Sequence, residues 1–304
     1  MHTEQFTING LHAVIWQPEG AAKAVLQIAH GMTEHMGRYE DFAAALCGAG
    51  IAVAGFDIRG HGQNPGNPEI ASCGEGGWTA SVEDMRLLFG ELRQRFPQIP
   101  LYMLGFSLGS FLLREYLTKH SRQGELAGAI LAGTGHQPGW LLSVMLAVVQ
   151  GEVQKSGFDG TTDLVRKLSF DTYNQKFKPT RTNADWLCSD EAELDKYLAD
   201  PLVRKDISAG LFRELMTSMK RTGNAGEYGR WDKDLPVLLL SGQDDPVGSG
   251  GKGVTNLYKQ MKKAGMKQLT LHLFPGARHD IFHEEATGTA KAVRDCIVGW
   301  IIRG

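Results

Sequence analysis

Apolar residues along this chain follow two alternating patterns, one typical of buried strands and the other of helices. Apolar positions at intervals of three and four, as at Val82, Met85, Leu88 and Leu92, predict a helix over about 79–96. Runs that are apolar at almost every position instead fit strands covered on both faces. Those runs are KAVLQIAHG, IAVAGFD, PLYMLGF, LAGAILAG and LPVLLLSG. Strands that alternate with helices in this way predict a mostly parallel sheet with helices on both faces.

Both ends of the chain extend this pattern. EQFTI and HAVIWQ flank an Asn-Gly pair, a favoured hairpin turn, so the chain is expected to begin with a β-hairpin. Further helices are predicted from Ser107 to about His120, near 253–265 and from about residue 284. The strand QLTLHLF precedes the last of these helices.

The alternation breaks between residues 135 and 232. This stretch is helical, aromatic and charged, without a buried strand, so we expect a helical cap inserted between two parts of an α/β core, 1–134 and 233–304. Its most apolar run, at 140–149, is far shorter than the about 20 residues needed to span a bilayer. Two interpretations of that run stay open: buried packing, or an acyl channel or transient lipid contact.

Composition and charge exclude several classes of protein. The chain has 304 residues, of which 42% are hydrophobic and 22% charged, as expected for a folded chain with a sizeable core. A formal net charge of -2 gives no electrostatic reason to expect nucleic acid or an anionic membrane as partner. The four cysteines form no C-x-x-C pair, and the first residues lack the pattern of a signal peptide. Free thiols and a cytoplasmic location are therefore expected.

A polar residue ends the apolar run PLYMLGF, within the stretch GFSLG. This stretch fits G-x-S-x-G, the nucleophile elbow, in which a tight turn from strand to helix lifts a serine hydroxyl out of the backbone. Small residues at Gly105 and Gly109 allow neighbouring chain to approach where the serine is held in a strained conformation. Ser107 is therefore the candidate nucleophile, provided that the rest of the chain supplies its partners.

A serine nucleophile needs a base and an acid that orients the base, and after such an elbow the chain order is serine, acid, histidine. Two strand ends follow Ser107, and they lead into SGQDDPVG and FPGARHDIFHE. In the first, Asp245 lies three residues after the turn glycine Gly242, which is the usual position of the acid in proteins with such an elbow. Asp245 is favoured over Asp244 for this reason.

The candidate base is His279, in the loop after the last strand. His283 is assigned to the following helix, and His272 lies within the strand, packed or facing solvent. The segment HDIFH resembles the zinc motif H-E-x-x-H, but aspartate replaces glutamate and the preceding Pro275-Gly276 places His279 in a loop. No metal and no cofactor is expected.

An oxyanion hole needs two backbone N–H groups directed at the developing charge. One is expected from Leu108, at a helix N-terminus where amides are unpaired and the helix dipole favours an anion. The other is expected from Met32, in the loop after the strand that ends at His30-Gly31.

Several motifs together resemble the monoacylglycerol lipase and lysophospholipase branch of the α/β-hydrolases, which is also described as serine aminopeptidase S33-like. They are HGMTEHMGRYEDFA, FDIRGHGQN, GFSLGS, SGQDDPVG and GARHDIFHE. The resemblance implies a serine carboxylester hydrolase with a helical cap, which acts on small-to-medium acyl esters through an acyl-enzyme on Ser107, His279 and Asp245. Asn64 departs from the serine usual in this branch, and we expect it to affect loop packing.

Three points stay open at this stage. Glu34, His35, Arg38 and Tyr39 are interpreted either as substrate contacts or as loop braces. An aminopeptidase or amidase is an alternative function, and it would require a cap carboxylate for the free α-amine. Candidates for that carboxylate are Glu191, Glu193 and Asp195. A catalytically silent ligand-binding protein on the same fold is the second alternative, and the complete set of serine, acid and histidine argues against it.

Overall fold

A mostly parallel sheet forms the centre of the computed structural model, which describes residues 1–121 and 123–303. The strands are β1 His2–Ile8, β2 Leu11–Gln17, β3 Ala24–Ala29, β4 Ile51–Phe56, β5 Ile70–Ala71, β6 Leu101–Phe106, β7 Gly128–Ala132, β8 Asp206–Ile207, β9 Val237–Gly242 and β10 Leu269–Phe274. Within the described residues the central sheet has the order β1-β2-β4-β3-β6-β7-β9-β10. Pairing is antiparallel in β1-β2 and β2-β4 and parallel from β4 to β10. The predicted fold class is confirmed.

Burial along the strands follows their place in the sheet. Every residue of β3, β4, β6, β7 and β9 is buried, because helices cover both faces of the sheet there. The edge strand β10 instead alternates between exposed and half-buried positions, and His272 is one of its exposed residues. Polar candidate residues are therefore expected after the ends of these buried strands.

Helices connect the strands. They are α1 Glu40–Gly48, α2 Gly77–Arg95, α3 Leu108–His120, α4 Gly139–Ser156, α5 Asp163–Arg166, α6 Thr172–Asn174, α7 Glu191–Ala199, α8 Ala209–Thr222, α9 Ala225–Tyr228, α10 Lys252–Lys263 and α11 Thr289–Arg303. The predicted helices at 79–96, 107–120 and 253–265 are confirmed to within two residues at each end. The last helix was predicted from about residue 284 and begins at Thr289, so His283 lies in a loop and its assignment to the helix was wrong.

The chain from 135 to 232, called the insertion below, contains α4 to α9. Contrary to the prediction, it also contains a short buried strand, β8, which pairs with β5 outside the central sheet. On α4 the side chains of Leu142 and Val149 are buried, whereas Trp140, Val144 and Val148 are exposed. Among the residues that the structure describes, no helix is long and apolar enough to cross a bilayer.

Candidate active site

Ser107 occupies a sharp turn between β6 and α3. Its backbone angles, φ 48° and ψ −116°, are rare for any residue other than glycine, and its N–H donates to the carbonyl of Ala132 at 2.9 Å. The flanking glycines are required by packing. A Cβ at Gly109 would overlap the carbonyl oxygen of Ala29, and one at Gly105 would overlap that of Gly109. The G-x-S-x-G pattern therefore reflects close backbone approach around a strained serine.

The structure brings His279 and Asp245 to this serine. Nε2 of His279 lies 2.8 Å from Oγ of Ser107, and its Nδ1 lies 2.9 Å from Oδ1 of Asp245. The second contact is short, although Nδ1 makes no hydrogen bond within the described residues. Both residues are almost fully buried. Asp244 is half-buried and pairs with Lys176 at 3.2 Å.

The two expected oxyanion donors are Leu108, directly after Ser107, and Met32. Leu108 is the first residue of α3, where backbone N–H groups have no partner within the helix. Met32 lies in the loop after β3 and lines the cavity beside Ser107. Within residues 1–121 and 123–303, neither N–H donates to a protein acceptor. Both are therefore free to bind an oxyanion.

His30 sets the direction of the peptide between Gly31 and Met32. Burial lowers the pKa of His30 to about 4, so the ring is neutral. Its Nε2 accepts from the N–H of Ile58 at 2.8 Å, which leaves Nδ1–H to donate to the carbonyl of Gly31 at 2.7 Å. Because the C=O and N–H of a trans peptide point in opposite directions, the Met32 N–H points away from His30.

Comparison with known proteins identifies the family. The profile described as serine aminopeptidase, S33, matches residues 20–286. The chain belongs to this family. Human monoglyceride lipase is 27% identical over 94% of this chain and 84% of its own length. Monoacylglycerol lipase of Mycolicibacterium smegmatis is 26% identical over 97% of this chain and 94% of its own. The resemblance noted from the motifs is confirmed, and the chain is a hydrolase.

Solved structures show the fold of this S33-family chain. A thermostable carboxyl esterase from Bacillus coagulans superposes with a TM-score of 0.85, at 23% identity and over 99% of this chain and 98% of that one. The monoacylglycerol lipase of Paleococcus ferrophilus has a TM-score of 0.68, at 23% identity and over 96% and 98% of the two chains. The α/β-hydrolase fold is therefore shown.

A buried ionic cluster joins the loop after β3 to the loop that carries His279. Glu34 accepts from the N–H of Gly31 at 2.5 Å and from the guanidinium of Arg38 at 3.1 Å. Arg38 also donates to Asp280 at 2.9 Å, and Asp280 contacts His283 at 2.8 Å. Burial opposes both charges, yet this pairing lowers the pKa of Asp280 and raises that of His283. Loop bracing is therefore the role that the geometry supports for Glu34 and Arg38.

Two other predicted braces also have structural partners. His35 contacts Asp200 of the insertion at 2.8 Å, and Tyr39 donates its hydroxyl to Glu34 at 2.8 Å. Asn64 accepts from the N–H of His12 at 2.8 Å and donates to the carbonyl of Asp57. These contacts agree with the expectation that Asn64 acts in loop packing.

Two adjoining cavities surround the serine. The smaller, of about 30 Å³, contains Ser107 and His279 in its wall and has room for about one water molecule. The larger has about 200 Å³ and extends to the exposed residues Leu198 and Lys205. The walls of both include Thr33, Phe170, Trp186, Leu187 and Tyr197. Apolar side chains of the insertion thus separate the serine from solvent.

The apolar run of the insertion does not take part in these walls. In the described part of the chain, no residue of 140–149 lines either cavity. Its inward face packs against the core, and its outward face is exposed. An acyl channel built from this run is therefore not supported.

The three insertion carboxylates considered for a substrate amine do not line the small cavity, as far as its described residues show. Glu191 and Asp195 are exposed and near Arg181, and Glu193 pairs with Lys196. Among the described residues that line the small cavity, the carboxylates are Glu34 and Asp280, and both are paired with Arg38. Neither of these two carboxylates is therefore free to bind a substrate ammonium group.

Trp186 is a residue of the site that the sequence analysis did not predict. Its ring centroid lies 5.1 Å from that of His279. No local pattern marks this position, because the contact joins residues 93 positions apart in the chain. The run of aromatic residues in the insertion was the only available signal.

Proposed function

We propose that this chain is a serine carboxylester hydrolase in which Ser107 is the nucleophile, His279 the base and Asp245 the acid that orients it. The observation that carries the proposal is the 2.8 Å contact between Nε2 of His279 and Oγ of Ser107. The 2.9 Å distance from Nδ1 to Asp245 supports it, since a buried carboxylate there selects the tautomer whose Nε2 can accept a proton.

The reaction proceeds by two acyl transfers. Ser107 Oγ attacks the ester carbonyl while His279 accepts its proton, and His279 then protonates the departing alcohol. Water, deprotonated by His279, attacks the acyl-enzyme and restores the serine. In both tetrahedral intermediates the oxyanion accepts from the N–H groups of Met32 and Leu108. Loss of one such donor typically raises the barrier by about 2.7–4 kcal/mol.

The substrate we propose is a small-to-medium acyl ester of the monoacylglycerol or lysophospholipid kind. The names of the human and mycobacterial relatives support a monoacylglycerol. The apolar residues in the wall of the 200 Å³ cavity, among them Phe170 and Trp186, support an acyl chain as occupant. The family description names an aminopeptidase, but no contact in the described residues favours a peptide substrate or a silent binding protein.

Two further parts of the proposal concern where the protein works. The exposed side chains Trp140, Val144 and Val148 on α4 support transient contact of the insertion with the lipid that contains the substrate. The four cysteines are unpaired, which supports a cytoplasmic location.

The test is Ser107→Ala, assayed on a p-nitrophenyl ester beside aminoacyl-anilides. Without the nucleophile, ester turnover should fall by roughly 10⁴-fold or more and leave a small residual rate from binding and the oxyanion donors. Labelling by a fluorophosphonate probe should disappear as well. Wild-type turnover in a folded Ser107→Ala protein would refute the proposal, and anilide cleavage exceeding ester cleavage in the wild type would favour a peptidase.

A further inference from the structure

The segment Asp185–Asp190 of the insertion is hydrogen-bonded along its length to the loop that carries His279. The N–H of Asp280 donates to the carbonyl of Leu187 at 2.7 Å, and the N–H of His279 donates to that of Trp186 at 3.4 Å. Four further contacts continue the pairing: Arg278 with Asp185, Arg278 with Cys188, Ser189 with Glu284, and Ala286 with Asp190. The backbone of Trp186 is therefore fixed relative to the imidazole.

The imidazole of His279 packs against two aromatic side chains. Phe106, from the end of β6, and Trp186, from the insertion, each have their ring centroid 5.1 Å from that of His279, with interplanar angles of 33° and 31°. Trp186 is itself buried and packs on Tyr173 at 5.1 Å. The ring thus has little freedom to leave the imidazole.

Aromatic faces stabilise a cation held near them. The face of an aromatic ring has negative electrostatic potential, and tryptophan attracts a cation within about 6 Å of its ring more strongly than other residues do. In the proposed reaction His279 becomes an imidazolium each time it accepts the serine proton. That charge forms in a cavity with room for about one water, so solvent contributes little to its stabilisation.

We propose that Trp186 is a positioning residue of the reaction: it holds the imidazole in line between Ser107 and Asp245 and stabilises the imidazolium through its ring face. The inference rests on the proposed function. It assigns to the insertion a part in the chemistry as well as in covering the substrate. It also distinguishes two parts of the insertion. Residues 185–190 belong to the active site, so a part of the insertion that moves aside to admit substrate must lie outside them.

A competing effect of the same ring has the opposite sign. Trp186 also excludes water from His279, and exclusion of water disfavours the imidazolium. If the ring face dominates, its removal makes the imidazolium less stable and moves the acid limb of the kcat/KM profile to lower pH. If exclusion of water dominates, removal of the ring moves that limb to higher pH. Trp186→Leu separates the two effects, because leucine keeps an apolar cover without an aromatic face.

The experiment compares Trp186→Leu, Trp186→Phe and a control, Phe177→Leu, on a soluble p-nitrophenyl ester across pH. Phe177 packs on Arg278 of the same loop, with the guanidinium 4.4 Å from its ring centroid, but does not contact His279. For Trp186→Leu we expect a roughly tenfold lower kcat, a KM within about twofold, and an acid limb lowered by about one pH unit. Trp186→Phe should recover most of both effects, and Phe177→Leu should leave the profile in place.

An acid limb that stays in place or moves to higher pH in folded Trp186→Leu overturns the inference. So does equal loss in Trp186→Phe and Trp186→Leu. Trp186→Met, also apolar and without a ring, replaces the leucine variant if that protein does not fold. Ser107→Ala is assayed in parallel: if it retains turnover, the proposed function fails, whereas its inactivity beside an unchanged Trp186→Leu profile rejects only the role of Trp186.

Discussion

Two adjacent carboxylates follow β9, and only one of them has the environment of an orienting acid. Asp245 is fully buried, and its Oδ1 accepts from the N–H of Val247 at 2.8 Å while it faces His279. Its Oδ2 has no partner among the described residues. The side chain of Asp244 is 48% exposed and is paired with Lys176. Burial of a carboxylate with an unsatisfied oxygen is costly, and a charge formed on the imidazole during turnover offsets that cost.

Asp245→Asn and Asp244→Asn should therefore differ strongly. An amide cannot stabilise an imidazolium and favours the wrong tautomer, so Asp245→Asn should lose roughly 10⁴-fold in kcat, as for the equivalent change in serine proteases. Asp244→Asn removes only an exposed ion pair, worth about 0–1 kcal/mol, and should keep kcat within about twofold. Steady-state kinetics on one ester measures both. The reverse ranking would assign the orienting role to Asp244.

The sequence allowed Ser107, Asp245 and His279 to be proposed because each follows a strand end within a recognisable local pattern. The same reasoning could not find Trp186, whose contact with His279 depends on how the insertion folds back over the sheet. It also placed His283 in a helix, since an apolar periodicity near 284 does not reveal that Asp280 and Arg38 hold this side chain in a loop.

The insertion has two faces with different surroundings. Its inner face contributes Phe170, Trp186 and Leu198 to the cavity of about 200 Å³ beside the serine. Its outer face carries Val144, 58% exposed, on α4, and this residue does not line the cavity. Substrate length and access to lipid should therefore depend on different parts of the insertion.

Acyl chain length tests this division. Each buried methylene contributes about 0.8 kcal/mol, close to a fourfold gain in binding, so kcat/KM should rise with chain length until the cavity is full. Leu198→Ser should flatten that rise. Val144→Ser should keep it for soluble esters and lower turnover only for monoacylglycerol presented in vesicles. A wild-type optimum at acetyl esters would be incompatible with an acyl chain in this cavity.

Strands and helices of the core were predictable because apolar residues mark buried positions directly. In β3, β6 and β9 almost every position is apolar and every residue is buried. The short strand β8 was not, since two residues carry no periodicity and its pairing with β5 joins parts of the chain more than 130 positions apart. The start of α11 was also missed. Glu284 accepts from the N–H groups of Ser189 and Arg278. These contacts hold the chain before Thr289 against the loop that carries His279, so it does not form a helical turn.

The molecule as a whole contains buried neutral histidines that make its stability sensitive to acid. Burial lowers the pKa of His30 to about 4 and that of His61 to about 3. The ordinary pKa of histidine is 6.5. Below that pH the two histidines are protonated in the unfolded chain but stay neutral in the folded chain, so the free energy of unfolding falls. His283 has the opposite shift, and its contribution is fully present below 6.5 and lost only as pH rises through its folded pKa. Carboxylates whose pKa is lowered in the folded chain, such as Asp185, change the free energy of unfolding only near and below pH 3.8.

The interval from pH 6.5 to 5 therefore tests the buried histidines, and the half-buried His136, whose pKa burial also lowers, adds a loss of the same sign. Each of His30 and His61 should reduce the free energy of unfolding by about 2 kcal/mol at pH 5 relative to neutral pH, from 1.36 kcal/mol per pH unit per proton. Urea unfolding at pH 7.5, 6.5 and 5 measures this loss. His61→Asn, whose amide can still donate to the carbonyl of Arg59, should remove about half of it. An unfolding free energy that stays constant from pH 7.5 to 5 would contradict the assignment of His30 and His61 as the acid-sensitive groups.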